Sequence, residues 1–222
     1  MGRAKRIAIY VLSTAVALTA FTGVMHLPFA RHFLMRLGGC PIGTPEQTEA
    51  SRKTALQNAR GTEIAPSRPA LGFALDGTTL DDVRAWASAR GLACEESREA
   101  TLVRCTNVPA TSIDDASGGT IAEVAFGLSP STGRVVAVTT MRNALSGAEA
   151  ATDMTAVSQR LAATLGKPAA TAGAVDSAFL SAGDYHTATI EYAFRDYLAT
   201  VTATRIPGRG VVLREEYLSA RD

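Results

Sequence analysis

The chain has 222 residues, 22 of them basic and 21 acidic, for a net charge of +1. With no excess of positive charge to neutralise phosphates, nucleic acid is disfavoured as a partner. Beyond the first forty positions, about 180 residues suffice for one domain with a real core. Lysine occurs only at Lys5, Lys53 and Lys167, while arginine and alanine are abundant, a composition that fits a GC-rich bacterial genome better than any function.

Residues 1–6 form a basic tail carrying Arg3, Lys5 and Arg6. The uncharged run Ile7 to Met25 follows, with Ser13, Thr14, Thr19, Thr22 and the tip of Tyr10 as its polar groups. Small hydroxyls can bond back to their own helix, so such a run is tolerated in lipid. At about 1.5 Å per residue it spans roughly 28 Å, close to a hydrocarbon core. His26 to Phe29 read as an interfacial exit, so residues 7–29 are expected to be a transmembrane signal anchor. The basic prefix keeps the amino terminus cytoplasmic and sends the rest outward. The expected location is a single-pass protein of the inner membrane with an extracytoplasmic domain. Two alternatives stand. One is a secretory signal, though Pro28-Phe29-Ala30 is a poor cleavage site. The other is a lipoprotein, since Leu37 to Cys40 resembles a lipobox, but Arg31, His32 and Arg36 interrupt the apolar run before it.

Residues 30–69 read as a juxtamembrane segment. Thr44 as N-cap and Pro45 at the first helical position start a short helix running to about Arg60, with Gly61 as its left-handed stop. Its apolar material is sparse, so it is a spacer or packs lightly on a neighbour. Ala65 to Pro69 then form an extended linker.

The domain proper is expected over 70–222. Leu71 to Leu75 read as a short strand, and Thr78 or Thr79 caps a helix through Arg90 with Asp81 and Asp82 in its first turn. Cys94 and Cys105 flank two short strands around a turn near Glu99 and Ala100, which sets them directly opposite one another. A disulfide there is the expected pairing and would require an oxidising compartment; the alternative is two buried thiols. Cys40 is left over as a free thiol, an intermolecular bridge or an acylation site. Pro109 to Gly119 form a polar loop. Ala122, Val124, Phe126 and Leu128 alternate as a strand, and Arg134 to Arg142 return as another after a turn. Ser146 caps a helix to Leu165 with a stripe of Ala150, Met154, Val157, Leu161 and Leu165. Strands at Ala188 to Phe194, Leu198 to Ile206 and Val211 to Leu218 complete the chain.

This order gives α+β: an N-terminal transmembrane helix, then a soluble domain of antiparallel sheet with helices packed on one face. No sequence repeat is visible, but helix followed by strand meander occurs twice. In topology alone this resembles small envelope domains such as the outer-membrane assembly lipoproteins; no residue motif accompanies the likeness, and no function comes with it.

Catalytic signals are weak. His186 is the one domain histidine, with Asp184 nearby and no nucleophile elbow. Glu215 and Glu216 are adjacent on a strand and point to opposite faces. Asp81 and Asp82 suit a helix dipole, Asp114 and Asp115 a turn. Gly118-Gly119 precede a strand, not the helix a phosphate loop requires. No cofactor or metal site is expected. Tyrosines and arginines gather in the last forty residues, where Tyr197, Arg205, Arg209 and Arg214 are the candidate partner surface; ordinary strand composition accounts for the same residues. The expectation is a noncatalytic binding or assembly domain, held to the bilayer by its helix and meeting an envelope protein. The alternative is an extracytoplasmic, hydrolase-like enzyme.

Overall fold

The computed structural model describes residues 45–113 and 118–221. The expected membrane span, Cys40, and the pair Asp114 and Asp115 lie outside the described residues. Among those described, no helix is long and apolar enough to cross a membrane.

The elements in chain order are α1 (Pro45–Ala59), α2 (Leu80–Ala89), β1 (Cys94–Ser97), β2 (Leu102–Pro109), a 3₁₀ turn (Ala110–Ser112), β3 (Thr120–Leu128) and β4 (Val135–Leu145). Then come α3 (Gly147–Leu165), β5 (Ala170–Ala172), α4 (Ser177–Ser181), β6 (His186–Ala193), β7 (Tyr197–Ile206) and β8 (Gly210–Ser219). The strands form one eight-stranded sheet in the order β1-β2-β3-β4-β8-β7-β6-β5, with every pair antiparallel. The fold is α+β. The order is also palindromic: a helix and four strands (α2, β1–β4) are answered by a helix and four strands (α3, β5–β8), joined where β4 pairs β8. The second unit differs by inserting α4 between its first two strands.

The helices form for local reasons. Thr79 and Ser146 each accept from the third backbone N–H of their helix, while Asp82 and Glu149 reach back to the cap N–H, closing two capping boxes. Those hydrogen bonds hold the Asp82 and Glu149 carboxyls below their ordinary range, the backbone bond being the larger cause. All five stripe residues of α3 are buried, from Ala150 to Leu165. They lie on the face of the sheet that carries Val138, Tyr192, Ala199, Val201, Leu213 and Tyr217. α2 sits on the same face, where Trp86, Phe73 and Phe126 form a three-ring, edge-to-face cluster with centroids 4.7–5.5 Å apart.

Two local expectations fail. Leu71 to Leu75 are not a strand: Leu71 has φ 58° and Gly72 φ 88°, so the chain turns there and buries Ala70, Leu71 and Leu75 against the core. Gly61 is not a left-handed stop. A Cβ there would sit 2.3 Å from the Ala193 carbonyl oxygen, so glycine serves close approach of two backbones.

α1 packs on the opposite face from the other helices, at one margin. Leu56 is buried against Leu198, Leu218, Ala193 and Ala220, and Arg52 donates to the Ser219 carbonyl at 2.9 Å. One apolar anchor is light packing, as the sparse stripe implied. The segment after α1 is tied to the β6–β7 turn: Arg195 N–H donates to the Glu63 carbonyl, Ala65 N–H to Asp196, and the Tyr197 hydroxyl to the Pro69 carbonyl at 2.5 Å.

Candidate functional site

Because side chains alternate along a strand, each core position leaves its neighbour on the other face. On β7 those neighbours are Thr200, Thr202 and Thr204, and on β6 Thr187 and Thr189. Across β8, β4 and β3 the same rows continue through Arg214 and Glu216, Met141 and Thr139, then Glu123 and Ala125. None of these is buried, whereas Val136, Leu198 and Ala220, nearest α1, are. Among the described residues, the centre of this face is covered by no helix. Its side chains are short, and its central charges are neutralised in place: Arg214 meets Glu216 at 2.7 Å and Arg104 meets Glu123 at 3.1 Å. It is a hydroxyl-rich surface whose central charges are paired, with Glu191 exposed at its β6 margin beside Thr200.

The sheet edges, by contrast, offer little. β1 has four residues, two of them glutamates, and is locked to β2 by a disulfide; β5 has three. Short, charged edges discourage addition of a foreign strand. If this domain binds through its sheet, the face is what it has to offer.

On the covered face a polar cluster is sealed inside. Glu215 is 1% exposed and accepts hydrogen bonds from Arg160 Nη2 at 2.7 Å and from the Tyr217 hydroxyl. Arg160 also donates to the Tyr217 oxygen at 2.8 Å, and Thr140 lies within 3.4 Å of the other carboxylate oxygen. Burial, then the Glu215 charge, push the Tyr217 hydroxyl far above its ordinary range; burial does the same to Tyr197. Arg160 and Tyr217 reach the wall of a 260 Å³ cavity closed by the Arg68 to Phe73 turn. Glu215 thus ties one helix, α3, to two strands, β4 and β8, and it is not among the residues lining the cavity.

The chain matches no family model, no curated protein and no solved structure. The expected topological likeness to envelope lipoproteins gains no support from these comparisons.

The disulfide is present: Cys94 and Cys105 are directly paired across β1 and β2 with Cα atoms 4.0 Å apart. Thr106 N–H donates to the Ala93 carbonyl, which makes the next pair inward, 94 with 105, the narrow non-hydrogen-bonded kind. The turn has Arg98, Glu99 and Ala100 all at positive φ.

The four residues expected as a partner surface do not form one. Tyr197 is a correction: it is fully buried, its ring in the core and its hydroxyl spent on Pro69, so it presents nothing to a partner. Its strand alternates Tyr, Ala, Val, Ala inward against Thr outward, a contrast too low to fix the facing from sequence. Arg205 lies on the helix-bearing side near α4 and donates to the Ala182 carbonyl at 3.3 Å. Arg214 lies on the open face, and Arg209 is exposed in the β7–β8 turn. Tyr192 and Tyr217 are buried as well, whereas Tyr185 is 68% exposed. His186 stacks on Phe179, with its Nε2 against the Phe179 carbonyl, and lines none of the described cavities. Among the described residues no three His, Cys, Asp or Glu side chains gather as a metal site. The expectation of helices on one face implied an open sheet face, but the residues that make it up were missed by sequence reasoning. Its signal is the threonine ladder of β6 and β7, legible only once both strands are known to be neighbours.

Proposed function

We propose that this is a membrane-anchored envelope protein whose extracytoplasmic domain binds a protein partner on the helix-free face of its sheet. The observation that carries the reading is that face: short hydroxyl and methyl side chains over six adjacent strands, flanked by neutralised ion pairs. Five spacings of about 4.8 Å by about seven residues of 3.3 Å rise give roughly 550 Å² in projection. That is the same order as the ~800 Å² each partner contributes to a stable interface. Short side chains let a partner's backbone approach closely, and charges already paired add little desolvation cost. The anchor reading is supported by the basic prefix and the uncharged run Ile7 to Met25. An oxidised Cys94–Cys105 pair agrees with an extracytoplasmic domain.

The test is site-specific photocrosslinking in intact cells. A photoreactive residue in place of Thr139 or Thr202 is expected to yield a discrete protein adduct, the same from both sites. One in place of Gln159 or Thr164 on α3 is expected to yield none. Adducts from α3 alone, or from neither face, would refute the reading.

A further inference from the structure

The open face offers no free cation cluster among the described residues, but the end of the sheet crossed by α1 does. Five of the chain's 22 basic residues and none of its 21 acidic ones precede residue 45, so residues 45–222 carry 17 basic against 21 acidic, a net −4. Against that background a cavity of about 480 Å³ opens beside the end of α1, lined by Arg60, Arg195 and Arg221 with Thr62 and a single carboxylate, Asp196. Asp196 is already divided. One oxygen accepts from the Ala65 N–H at 3.0 Å, and the other is shared between Arg68 at 3.9 Å and Arg221 at 3.6 Å. Arg60 already donates to the Ala220 carbonyl at 3.5 Å, so Arg195 and Arg221, set against the one charge of Asp196 among the described residues, keep the cavity positive. The Arg195 guanidinium has no side-chain partner among the described residues, and Arg195 and Arg221 are exposed. A second cavity of about 270 Å³ shares Arg221 and adds Lys53 and Arg134. Its carboxylates are spent locally, Glu49 on Arg52 at 2.7 Å and Asp76 on Arg68 at 2.6 Å.

We infer that the larger cavity takes a phosphate group on Arg195 and Arg221, supplied by the headgroup of an anionic phospholipid. Guanidinium forks match phosphate oxygens in pairs, and the cavity has the size of a ligand site, not of a single ion. The lipid source rests on the proposed membrane anchor. Residues 30–44 extend to at most about 50 Å, so the end bearing α1 stays within reach of the bilayer surface. A domain of net −4 is on the whole repelled from an anionic surface, so a basic site here favours the orientation that turns it toward the bilayer.

The test uses the full chain in non-ionic detergent, titrated calorimetrically with soluble short-chain phosphatidylglycerol, short-chain phosphatidylcholine, inorganic phosphate and acetate at constant ionic strength. Saturable binding of the phosphatidylglycerol is expected, weakened about fivefold by each of R195Q and R221Q, both exposed and outside the core. Phosphatidylcholine and acetate are expected to bind at least tenfold more weakly. Phosphatidylglycerol binding unchanged in the double variant, or none in the wild type, overturns the site. Inorganic phosphate binding as tightly as the lipid overturns the lipid source. Alkaline carbonate extraction of cell membranes tests the anchor separately: a chain released by carbonate sinks the anchored reading, whatever the calorimetry shows of the cavity.

Discussion

Glu215 sits 1% exposed on a strand whose inward neighbours are Leu213 and Tyr217, which is an expensive place for a charge. Arg160 and Tyr217 offset that cost by holding its carboxylate from two sides. Removing one partner from such a pair costs more than removing both, because it strands the other. R160M is therefore expected to destabilise the protein by about 3–5 kcal/mol. The double variant R160M/E215L is expected to recover part of that loss. Denaturant unfolding of the full chain checks both, and a double variant weaker than R160M would contradict the network. The same burial governs alkaline behaviour. Tyr192, Tyr197 and Tyr217 are raised above the ordinary value of 10.0, by burial first in each case. A raised folded value means the folded state holds its protons longer than the unfolded chain. The stability these tyrosines contribute is thus full below pH 10 and is lost as pH rises above it. Tyrosinate absorbance from these three of the chain's five tyrosines is expected to appear in one step together with loss of far-ultraviolet dichroism. Their gradual ionisation in a folded protein would contradict the buried placement.

At the scale of elements, the Cys94–Cys105 bridge closes a short loop on an edge strand of four residues. Beyond its ladder with β2, strand β1 is held by Glu96 to Arg84 of α2 at 2.7 Å, so reduction is expected to cost about 3 kcal/mol and to loosen that edge first. Thiol labelling of the denatured, unreduced chain should mark Cys40 alone; labelling of Cys94 or Cys105 would contradict the bridge and remove a support for an oxidising compartment. This hairpin was legible from sequence because two cysteines and a turn fix a register by themselves. So was α3, whose cap and stripe agree over nineteen residues. β5 and α4 were not: three and five residues are too few for any period to show. Strand β7 was legible as a strand but not in its facing, since alanine and threonine differ little in apolarity; Tyr197 was placed on a surface because tyrosines and arginines gather in that stretch, a composition that does not separate a buried ring from an exposed one. The Arg160–Glu215 pair escaped for another reason. The partners lie 55 residues apart, and nothing in α3's apolar stripe marks the arginine beside Leu161 as inward-reaching.

At the scale of the whole domain, the palindromic strand order explains how one face comes to be free. Each half lays its helix on the same side of a four-stranded meander, and joining the halves at β4 and β8 fuses two half-faces into one broad surface. α1 then occupies only the margin where Leu198 and Leu218 lie. The repeated helix-and-meander order was visible in the sequence; the joint was not, because β4 and β8 are separated by the entire second half. Two surfaces result, a hydroxyl-rich one for a protein and a basic one beside the end of α1. Met141 stands in the middle of the open face, in register with Arg214 of β8 and Glu123 of β3. Its oxidation by hydroxyl radicals, measured in native membranes and in the purified chain with Tyr185 as an exposed reference, reports directly whether that face is occupied. The account predicts Met141 strongly protected in membranes and reactive after purification, with Tyr185 unchanged; equal reactivity of Met141 in both would contradict it.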